Sequence, residues 1–418
     1  MPWSCYKFWT ILLLALLLRV IAAISIDHHL TQAGRTFLIE GDANGYWELG
    51  QHIAAGEDYA IYQPPRRVLR TPGFPLLLAA SIKAFGRSVF AASLVMAVVG
   101  TGCCWLTWLL ARKLFDESTA LWALLLVAVS PLQIGSHVQI LSETWFSFGL
   151  LICLLALGRL LKQSPTASCG RIAVTNGILT GLTVLIRPGW LLWAGLSSLL
   201  VILFGQMKLA KRILCAALIC GGCFVALLPW AWRNHEVTGH WIFTSLWSGP
   251  SLYDGLHAGA TGASDMAFVD NEDAYSTMSE FEANAHYKQR AIDFVKENPR
   301  RTLELAFLKA GRYLSPSLNA AGFSGGVFSA VCVAWYFSLT LLILAGVLNL
   351  RQNLAYVALL ASPFLQFLLV HMVFVGSIRY RLPVEFPLSI LAAHGLVALR
   401  QRWNQRTRLD CEPQSGVT

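Results

Sequence analysis

The sequence is short of charge. Only 13% of its 418 residues are Asp, Glu, Lys or Arg, whereas 56% are hydrophobic, and the mean hydropathy is +0.55. An ordinary soluble domain has roughly 25% charged residues. A chain with so few charges cannot cover its surface with ions. The composition therefore excludes an ordinary soluble protein and predicts that lipid is the main solvent.

Cysteine is missing from both long polar stretches of the chain. None of the 10 cysteines lies in residues 27–87 or 232–324. A disulfide framework on the oxidising side of a membrane would need cysteines there, so the sequence excludes one. Cys220-x-x-Cys223 lies inside an apolar run. In that setting the pair is predicted to pack, and not to bind metal or perform redox chemistry.

No basic stripe and no nucleic-acid motif accompany the formal charge of +9. Basic residues at membrane boundaries explain the excess more simply, so no nucleic-acid partner is expected. The sequence also lacks a low-complexity linker and a repeat of fixed period. We therefore expect one transmembrane domain over residues 1–400, followed by a short basic cytoplasmic tail at 401–418.

Apolar runs predict ten transmembrane helices, because a span needs about 20 apolar residues. The first run, residues 8–26, is interrupted only by Arg19, which would snorkel to the interface or meet an acidic partner. A cleaved signal peptide is the alternative for this run. The other nine spans are expected near residues 88–111, 118–135, 142–161, 171–186, 189–205, 212–231, 325–350, 353–375 and 384–400.

Charge in the short loops predicts the orientation. With a cytoplasmic N-terminus, every short cytoplasmic loop is basic, and the polar segments 27–87 and 232–324 become external loops. Residues 72–87 are apolar but short, so they predict a helix at the interface, with a full span as the alternative.

The second external loop predicts two helices. An acidic helix is expected from about Ser276 to Glu297. An amphipathic helix then begins at Pro299 after an Asn298 N-cap. Its apolar face is expected to lie on the membrane and comprises Leu303, Ala306, Phe307 and Ala310.

Residues 39–75 combine acids, aromatics and arginines, among them Asp42, Tyr46, Trp47, Arg66 and Arg70. A carboxylate can take a proton from a hydroxyl. Aromatic faces stack on sugars, and arginine forks bind phosphate. The segment therefore suits a sugar attached to a phosphate, and an ordinary solvated loop is the alternative.

Ionisable residues also stand at the ends of predicted spans, where they cost several kcal/mol unless paired or wetted. They are Glu143, Arg187, Arg233, Arg379 and Arg381, the last two flanking Tyr380. The alternatives to a functional site are a helix N-cap for Glu143 and interfacial anchoring for the arginines. In the predicted orientation all of them share one membrane face with Asp42. That convergence predicts a site for a lipid-linked anionic substrate.

Six short motifs follow one another along nearly the whole chain. They are Asp42-Ala43-Asn44-Gly45-Tyr46-Trp47, Arg70-Thr71-Pro72-Gly73-Phe74-Pro75, Pro131 through Ser142-Glu143, Gly181-Leu182 through Ile186-Arg187-Pro188, Pro229-Trp230 through Arg233-Asn234 and Gly239, and Arg379-Tyr380-Arg381-Leu382-Pro383. In this order they resemble the GT-C glycosyltransferases of the bacterial protein-mannosyltransferase and aminoarabinose-transferase type. The series is typical of the superfamily and not of one substrate.

The resemblance implies an all-α polytopic integral membrane protein, a GT-C-type bundle of about ten helices with a catalytic first external loop. Asp42 matches the catalytic acid and is expected to be the general base. Glu143 resembles the second acid at the end of a later span. The implied reaction is inverting transfer of a hexosyl or pentosyl group from a polyprenyl-phosphate donor to a hydroxyl of a lipid, glycan or protein. It is expected at the external face of the plasma (inner) membrane.

The resemblance also suggests roles for the remaining candidates. Ala43 stands where some relatives have a second acid, and relatives with single-sugar donors generally work without metal, so no metal or other cofactor is expected. Substrate binding is assigned to Tyr46, Trp47, Arg66, Arg70, Arg187, Arg233, Arg379, Tyr380 and Arg381. A transporter or flippase of polyprenyl-linked glycans is the competing hypothesis, although transporters place their charges near the midplane. A catalytically inactive scaffold is the third.

Overall fold

The computed structural model describes residues 3–162, 168–317 and 326–411, and every extended regular element in these ranges is a helix. The helices are α1 (Trp3–Gln32), α2 (Asp42–Ala55), α3 (Gly73–Phe85), α4 (Val89–Leu114), α5 (Glu117–Val129), α6 (Pro131–Ser136), α7 (Glu143–Lys162), α8 (Ser168–Val184), α9 (Leu192–Phe204), α10 (Leu209–Thr238), α11 (Ser248–Gly255), α12 (Ala267–Asn271), α13 (Ala274–Thr277), α14 (Glu280–Glu297), α15 (Pro299–Tyr313), α16 (Gly326–Asn349), α17 (Leu354–Val373) and α18 (Leu382–Cys411). Short 3₁₀ turns occur at Pro188–Trp190 and Ile378–Tyr380. The all-α prediction is confirmed.

Seven of the described helices are long and apolar enough to cross a membrane, namely α1, α4, α7, α10, α16, α17 and α18. The chain is a multi-pass integral membrane protein, but the predicted count of ten spans is not confirmed. The other three predicted spans correspond to α5, α8 and α9, which have 13, 17 and 13 residues. Each is shorter than the about 20 residues that a span needs.

Arg19 is fully buried within α1 and has neither of the two expected environments. Its Nε donates to His137 Nδ1 at 3.0 Å, and its Nη2 donates to the carbonyl of Val127 at 3.2 Å. That carbonyl lies four residues before Pro131, which has no N–H to pair with it. Arg19 therefore supplies the donor that is missing where α5 breaks and α6 begins.

Glycines let α8 and α10 approach closely. A Cβ on Gly177 would lie 2.2 Å from the Ile219 carbonyl oxygen, and one on Gly222 would lie 2.7 Å from that of Val174. Helix association in lipid depends on such close packing, because lipid tails remove the hydrophobic driving force. A Cβ on Gly221 would meet open space. Of the neighbours Gly221 and Gly222, the contact therefore requires a glycine only at Gly222.

The two long polar segments pack against each other at one end of the bundle. Glu280, in the first turn of α14, accepts hydrogen bonds from the backbone N–H groups of Arg67 at 2.8 Å and Val68 at 3.0 Å. The N–H of Leu246 donates to the Val68 carbonyl at 2.8 Å. These bonds show that both segments lie on the same side, as the loop charges predicted.

The helices of these polar segments differ slightly from expectation. Helix α3 has 13 residues, or about 20 Å of length, so it cannot cross a bilayer core of about 30 Å by itself. Helix α14 begins at Glu280 and not near Ser276, because Ser279 and Glu282 form a capping box. Helix α15 begins at Pro299 as predicted, although the Asn298 side chain makes no capping bond.

Two further expectations concern exposed surfaces. Leu303 and Phe307 on α15 are 63% and 70% exposed, so this part of the predicted apolar face is unpartnered within the described chain. Its placement on the membrane remains a prediction. Helix α18 runs through Cys411, so the described part of the predicted tail continues the last helix.

Candidate active site

Two acids and three arginines meet at the end of the bundle that carries the polar segments. Asp42 Oδ1 accepts a hydrogen bond from Arg70 Nη2 at 2.8 Å, and Asp42 Oδ2 accepts one from Arg379 Nη1 at 2.7 Å. Arg379 Nε also donates to Glu143 Oε1. Arg187 Nη1 lies 3.1 Å from the same Glu143 oxygen. These five side chains, Arg70–Asp42–Arg379–Glu143–Arg187, form a continuous chain that we call the charge cluster.

Four of the five members of the charge cluster, all but Arg70, lie at the start of a helix or in a turn next to one. Asp42 is the first residue of α2, where the helix dipole favours a carboxylate, and Gly41 before it turns the chain with φ 77°. Glu143 is the first residue of α7. Arg187 follows α8, and Arg379 lies in the 3₁₀ turn between α17 and α18. Four separate parts of the sequence thus supply these side chains.

The segment that carries Arg70 is docked on the end of α8. The Gly73 N–H donates to the Leu185 carbonyl at 2.9 Å, and a Cβ on Gly73 would lie 2.6 Å from that oxygen. The Tyr59 hydroxyl donates to the Arg70 carbonyl at 3.1 Å. Any side chain at residue 73 would separate the two backbones, which explains the glycine in the Thr71-Pro72-Gly73 turn.

Aromatic rings hold two of the guanidinium groups. The Arg70 guanidinium lies 4.3 Å from the centre of the Tyr46 ring, and that of Arg187 lies 4.9 Å from the Tyr380 ring, both within cation–π range. Tyr380 in turn stacks on His371 at 4.0 Å with the rings 8° from parallel. His371 was not predicted, because a lone histidine in an apolar helix has no distinctive sequence pattern.

The charge cluster has spare capacity for a ligand. Its three guanidinium groups outnumber its two carboxylates, which leaves a surplus of one positive charge. Glu143 is 3% exposed, and its Oε2 has no hydrogen-bond partner among the described residues. The buried Nε of Arg70 also lacks a partner within the described chain. Buried polar atoms are normally paired, so these two are open positions for a donor and an acceptor.

Asp42 is ionised in this arrangement. Partial burial raises the pKa of its carboxyl, but the guanidinium groups of Arg70 and Arg379 outweigh that effect and hold the pKa well below its usual range. The side chain is still 36% exposed, so an incoming group can reach it. The resulting carboxylate is charged and accessible, but it is a weak base while both arginines hold it.

Besides Tyr46 and Tyr380, which lie against arginines of the charge cluster, four predicted site residues lie outside it. They make the following contacts, and their role in substrate binding stays a prediction. Arg381 is 2% exposed and donates to Glu385 Oε1 at 2.7 Å and to the carbonyls of Tyr313 at 2.9 Å and Ser315 at 2.8 Å. Arg233 donates to the carbonyls of Arg67 at 2.6 Å and Tyr59 at 3.3 Å, Arg66 stacks on Tyr275 at 3.7 Å, and Trp47 is buried against Phe37.

The residues of the charge cluster do not fit a divalent metal site. Among the described residues, no group of three His, Cys, Asp or Glu side chains converges. The two carboxylates that do converge are bound to arginines. Divalent cations of the Mg²⁺ or Ca²⁺ type need several free oxygen ligands. The expected metal independence of the protein remains a prediction.

Comparison with known proteins identifies the fold. No protein-family model and no curated protein sequence matches the chain. The archaeal oligosaccharyltransferase AglB from Archaeoglobus fulgidus, in complex with an inhibitory peptide and a dolichol-phosphate, aligns with TM-score 0.57 at 14% identity, over 100% of this chain and 53% of AglB. Its apo form aligns with TM-score 0.58 at 14% identity, over 100% and 52%.

ArnT from Cupriavidus metallidurans, bound to undecaprenyl phosphate, aligns over 95% of this chain and 78% of its own at 13% identity, with TM-score 0.45, which is too low to support a conclusion. The chain spans about half the length of AglB, and identity at this level shows a common fold alone. The chain therefore has the helical membrane fold of AglB.

Proposed function

We propose that the protein is an inverting glycosyltransferase that moves a hexosyl or pentosyl group from a polyprenyl-phosphate donor to an acceptor hydroxyl. The observation that carries the proposal is the charge cluster, in which an accessible carboxylate and a surplus of guanidinium groups share one site. It lies at the ends of membrane helices, where the head of a lipid-linked substrate would be presented. The AglB structure with the same fold holds a dolichol-phosphate.

The arginines of the charge cluster would bind the donor phosphate. Arginine forks suit phosphate oxygens because two parallel N–H groups match two oxygens. Arg379 and Arg187 are held by one shared oxygen of Glu143, so each retains N–H groups that can turn to a ligand. The positioned positive charge would stabilise the leaving phosphate. A single such contact contributes about 3–4 kcal/mol to a transition state.

The donor phosphate would also activate Asp42. In the structure Asp42 shares its two oxygens between Arg70 and Arg379. A phosphate that draws Arg379 away frees Oδ2 and raises the pKa of the carboxyl toward its usual range. Base strength would therefore appear only after the donor has bound. Asp42 would therefore not take a proton from the acceptor before the sugar donor is in place.

In the transfer step, the acceptor oxygen attacks the anomeric carbon from the face opposite the phosphate. The bond from that carbon to the phosphate oxygen breaks through an oxocarbenium-like state, as in glycoside hydrolysis. The acceptor proton passes to Asp42, and polyprenyl phosphate leaves with the electron pair of the broken bond. Inversion follows from the single displacement. Tyr46, beside Arg70, is the aromatic group available to the sugar.

The proposed location is the external face of the plasma (inner) membrane. Basic short loops support this orientation, because positive loops remain cytoplasmic. A transporter would need charges near the bilayer midplane, whereas the charge cluster lies at the helix ends. The acceptor is a lipid, a glycan or a protein side chain.

The decisive experiment is sugar transfer by the full chain in lipid discs, with a panel of polyprenyl-phosphate sugars and a membrane extract as acceptor. Wild type should release polyprenyl phosphate, and Asp42→Asn should be slower by about 10²–10⁴-fold, the usual contribution of a general base.

Asp58→Asn is the matched control. Asp58 is also a loop acid bound to an arginine, Arg67 at 2.7 Å, but it lies outside the charge cluster. Equal losses in both variants would reject Asp42 as the base. If the protein binds donors but releases polyprenyl phosphate from none of them, the result would favour a transporter or an inactive scaffold over an enzyme.

A further inference from the structure

We infer that a cavity beside Asp42, between α1 and α4, is the acceptor subsite, and that its ligand is a membrane lipid with a free hydroxyl in its head group. This inference rests on the proposed function and specifies its acceptor. The cavity has a volume of about 230 Å³. Its walls are the outer end of α1, the connection from α1 to α2, the start of α4, and residues 138–141.

The cavity is lined by residues that lie close in the chain to both acids of the charge cluster. Ala43, which lines it, is the neighbour of Asp42, and Leu141, which also lines it, lies two residues before Glu143. None of the three arginines of the charge cluster is among the described lining residues. The cavity therefore borders the proposed base but is separate from the groups that would bind phosphate. A second substrate needs such a position.

The polar atoms of the cavity select for a hydrogen-bond donor. Gln139 Nε2 donates to the Gly135 carbonyl at 3.1 Å, which fixes the amide and leaves Oε1 as an acceptor. That oxygen is buried and has no partner among the described residues. The lining Asp27 carboxylate makes no hydrogen bond or ion pair within the described chain. Two free acceptors, one of them anionic, favour a hydroxyl and disfavour a phosphate.

One lining residue of the opposite charge is already neutralised. Arg35 donates from Nε to Glu40 Oε1 at 3.1 Å and from Nη2 to the Leu38 carbonyl at 3.1 Å. The cavity thus presents no free guanidinium group among its described residues. Its charge is the reverse of that in the charge cluster. The two substrates of the proposed reaction would be sorted by that difference.

The remaining lining indicates a lipid and not a polypeptide. Ala23, Ile26 and Leu30 of α1 and Val89 of α4 form an apolar wall, and both helices are membrane spans. The opposite side of α1 carries exposed residues such as Ile24, so this helix borders the bilayer. The volume holds roughly seven or eight groups of the size of water or methylene. It suits the glycerol head and first methylenes of a lipid.

The test uses the full chain in lipid discs that contain a monoacylglycerol with a photoreactive diazirine in its acyl chain. After irradiation, labelled peptides are mapped by mass spectrometry. Label should concentrate in residues 23–39 and 138–141 of wild type. Gln139→Leu, which removes the hydroxyl acceptor, should lower this label about tenfold, as expected for the loss of roughly 1.4 kcal/mol of binding.

Ala23→Phe, which fills the cavity, should lower the label similarly. Ile24→Phe makes the same kind of change on the exposed side of α1 and should leave it unchanged. Label spread evenly over the bilayer-facing surface, or equal in wild type and Gln139→Leu, would overturn the inference. Should Ala23→Phe fail to fold, Gln139→Leu still decides the question.

A kinetic measurement separates this inference from the proposed function. With a donor that wild type accepts, Gln139→Leu should raise the KM for a hydroxyl lipid about tenfold. Ile24→Phe, outside the cavity, should leave that KM unchanged. Release by wild type with an unchanged KM and no focused label refutes the cavity alone. Focused label with no release from any donor refutes the proposed transfer and leaves a lipid site.

Discussion

Arg379 and Arg381 are two residues apart, yet they serve different regions of the molecule. Arg379 is bound to two acids from distant parts of the chain, and its side chain remains 19% exposed. Arg381 is 2% exposed and is bound to Glu385 in the first turn of α18 and to two carbonyls. The difference separates an arginine that is buried among nearby partners from one that is partly exposed and shared between two acids. An arginine shared between acids with spare atoms is available to a ligand.

The local backbone explains this separation. Residues Ile378–Tyr380 form a 3₁₀ turn, and α18 begins directly after Arg381. A 3₁₀ helix has three residues per turn, so side chains two positions apart point roughly 120° away from each other. Tyr380 between them stacks on His371. The turn sends Arg379 toward Asp42 and Arg381 toward Tyr313.

Arg381→Gln tests whether Arg381 supports the fold, and it should have the largest effect on stability among these variants. It leaves Glu385 buried without its cation, which costs about 3–5 kcal/mol of stability. Thermal unfolding in lipid discs should show a clear fall in Tm, while protein that remains folded should transfer sugar at nearly the wild-type rate. Arg402→Gln on the same helix is the control, because Arg402 is exposed and bonds only Asn349 among the contacts described. A large loss of transfer with unchanged Tm would move Arg381 into the site.

Arg379→Gln should show the reverse pattern. Transfer should fall about 10²–10³-fold, because a positioned charge on the leaving group is lost, and the donor concentration needed should rise. Arg379→Lys should recover part of the rate, since it keeps the charge but loses the fork. Measured release of polyprenyl phosphate checks both variants. An unchanged donor dependence would make Arg379 a membrane anchor.

Gly222→Ala tests the packing of α8 against α10 and should lower stability by a smaller amount than Arg381→Gln. The added Cβ meets the Val174 carbonyl at 2.7 Å, so α8 and α10 must separate. Overpacking of this kind costs about 1–3 kcal/mol. Gly221→Ala places the same methyl in open space and should leave Tm unchanged. Equal Tm values for the two variants would show that the helices are not in close contact there.

Glu280→Gln tests a residue intermediate between Arg379 and Arg381. Glu280 holds the segment of Arg67 and Val68 in place but does not touch the charge cluster. Burial raises the pKa of Glu280 above its usual 4.5, despite its hydrogen bonds from Val68 and Arg67. Its stabilising contribution is therefore complete below the unfolded pKa and is lost as pH rises through the folded value. Glutamine keeps the oxygen that accepts both N–H groups and has no proton to lose.

The Tm of Glu280→Gln should accordingly fall less than that of wild type between about pH 4 and pH 7, by about 2 °C. Transfer at neutral pH should remain within about twofold of wild type, because the loop stays docked. A steeper fall in the variant would mean that the ionised carboxylate stabilises the loop.

Much of the charge cluster could be predicted from sequence. Loop charges and the order of the spans placed Asp42, Glu143, Arg187 and Arg379 on one face, and the structure joins them directly. That reasoning works because membrane helices reverse direction at every crossing. It uses only which end of a helix a residue occupies.

What could not be predicted depends on rotation and on helix breaks. The two neighbours Tyr46 and Trp47 differ because the ring of Tyr46 also lies against the Arg70 guanidinium, whereas Trp47 is buried against Phe37. The predicted span at residues 118–135 is divided at Pro131 into α5 and α6. Hydropathy averages over such a break. It also contains no information on which buried donor, here Arg19, will satisfy the freed carbonyl.

The bond between Asp42 and Arg379 joins residues 337 positions apart in the chain. A ribosome makes Asp42 among the first residues and Arg379 just before the final helix. Until Arg379 is made, Asp42 can pair only with Arg70, and Glu143 only with Arg187, among the members of the charge cluster. The charge cluster is therefore complete only once Arg379, which precedes the last helix, has been made. A chain truncated before that point would carry both acids without the arginine that joins them.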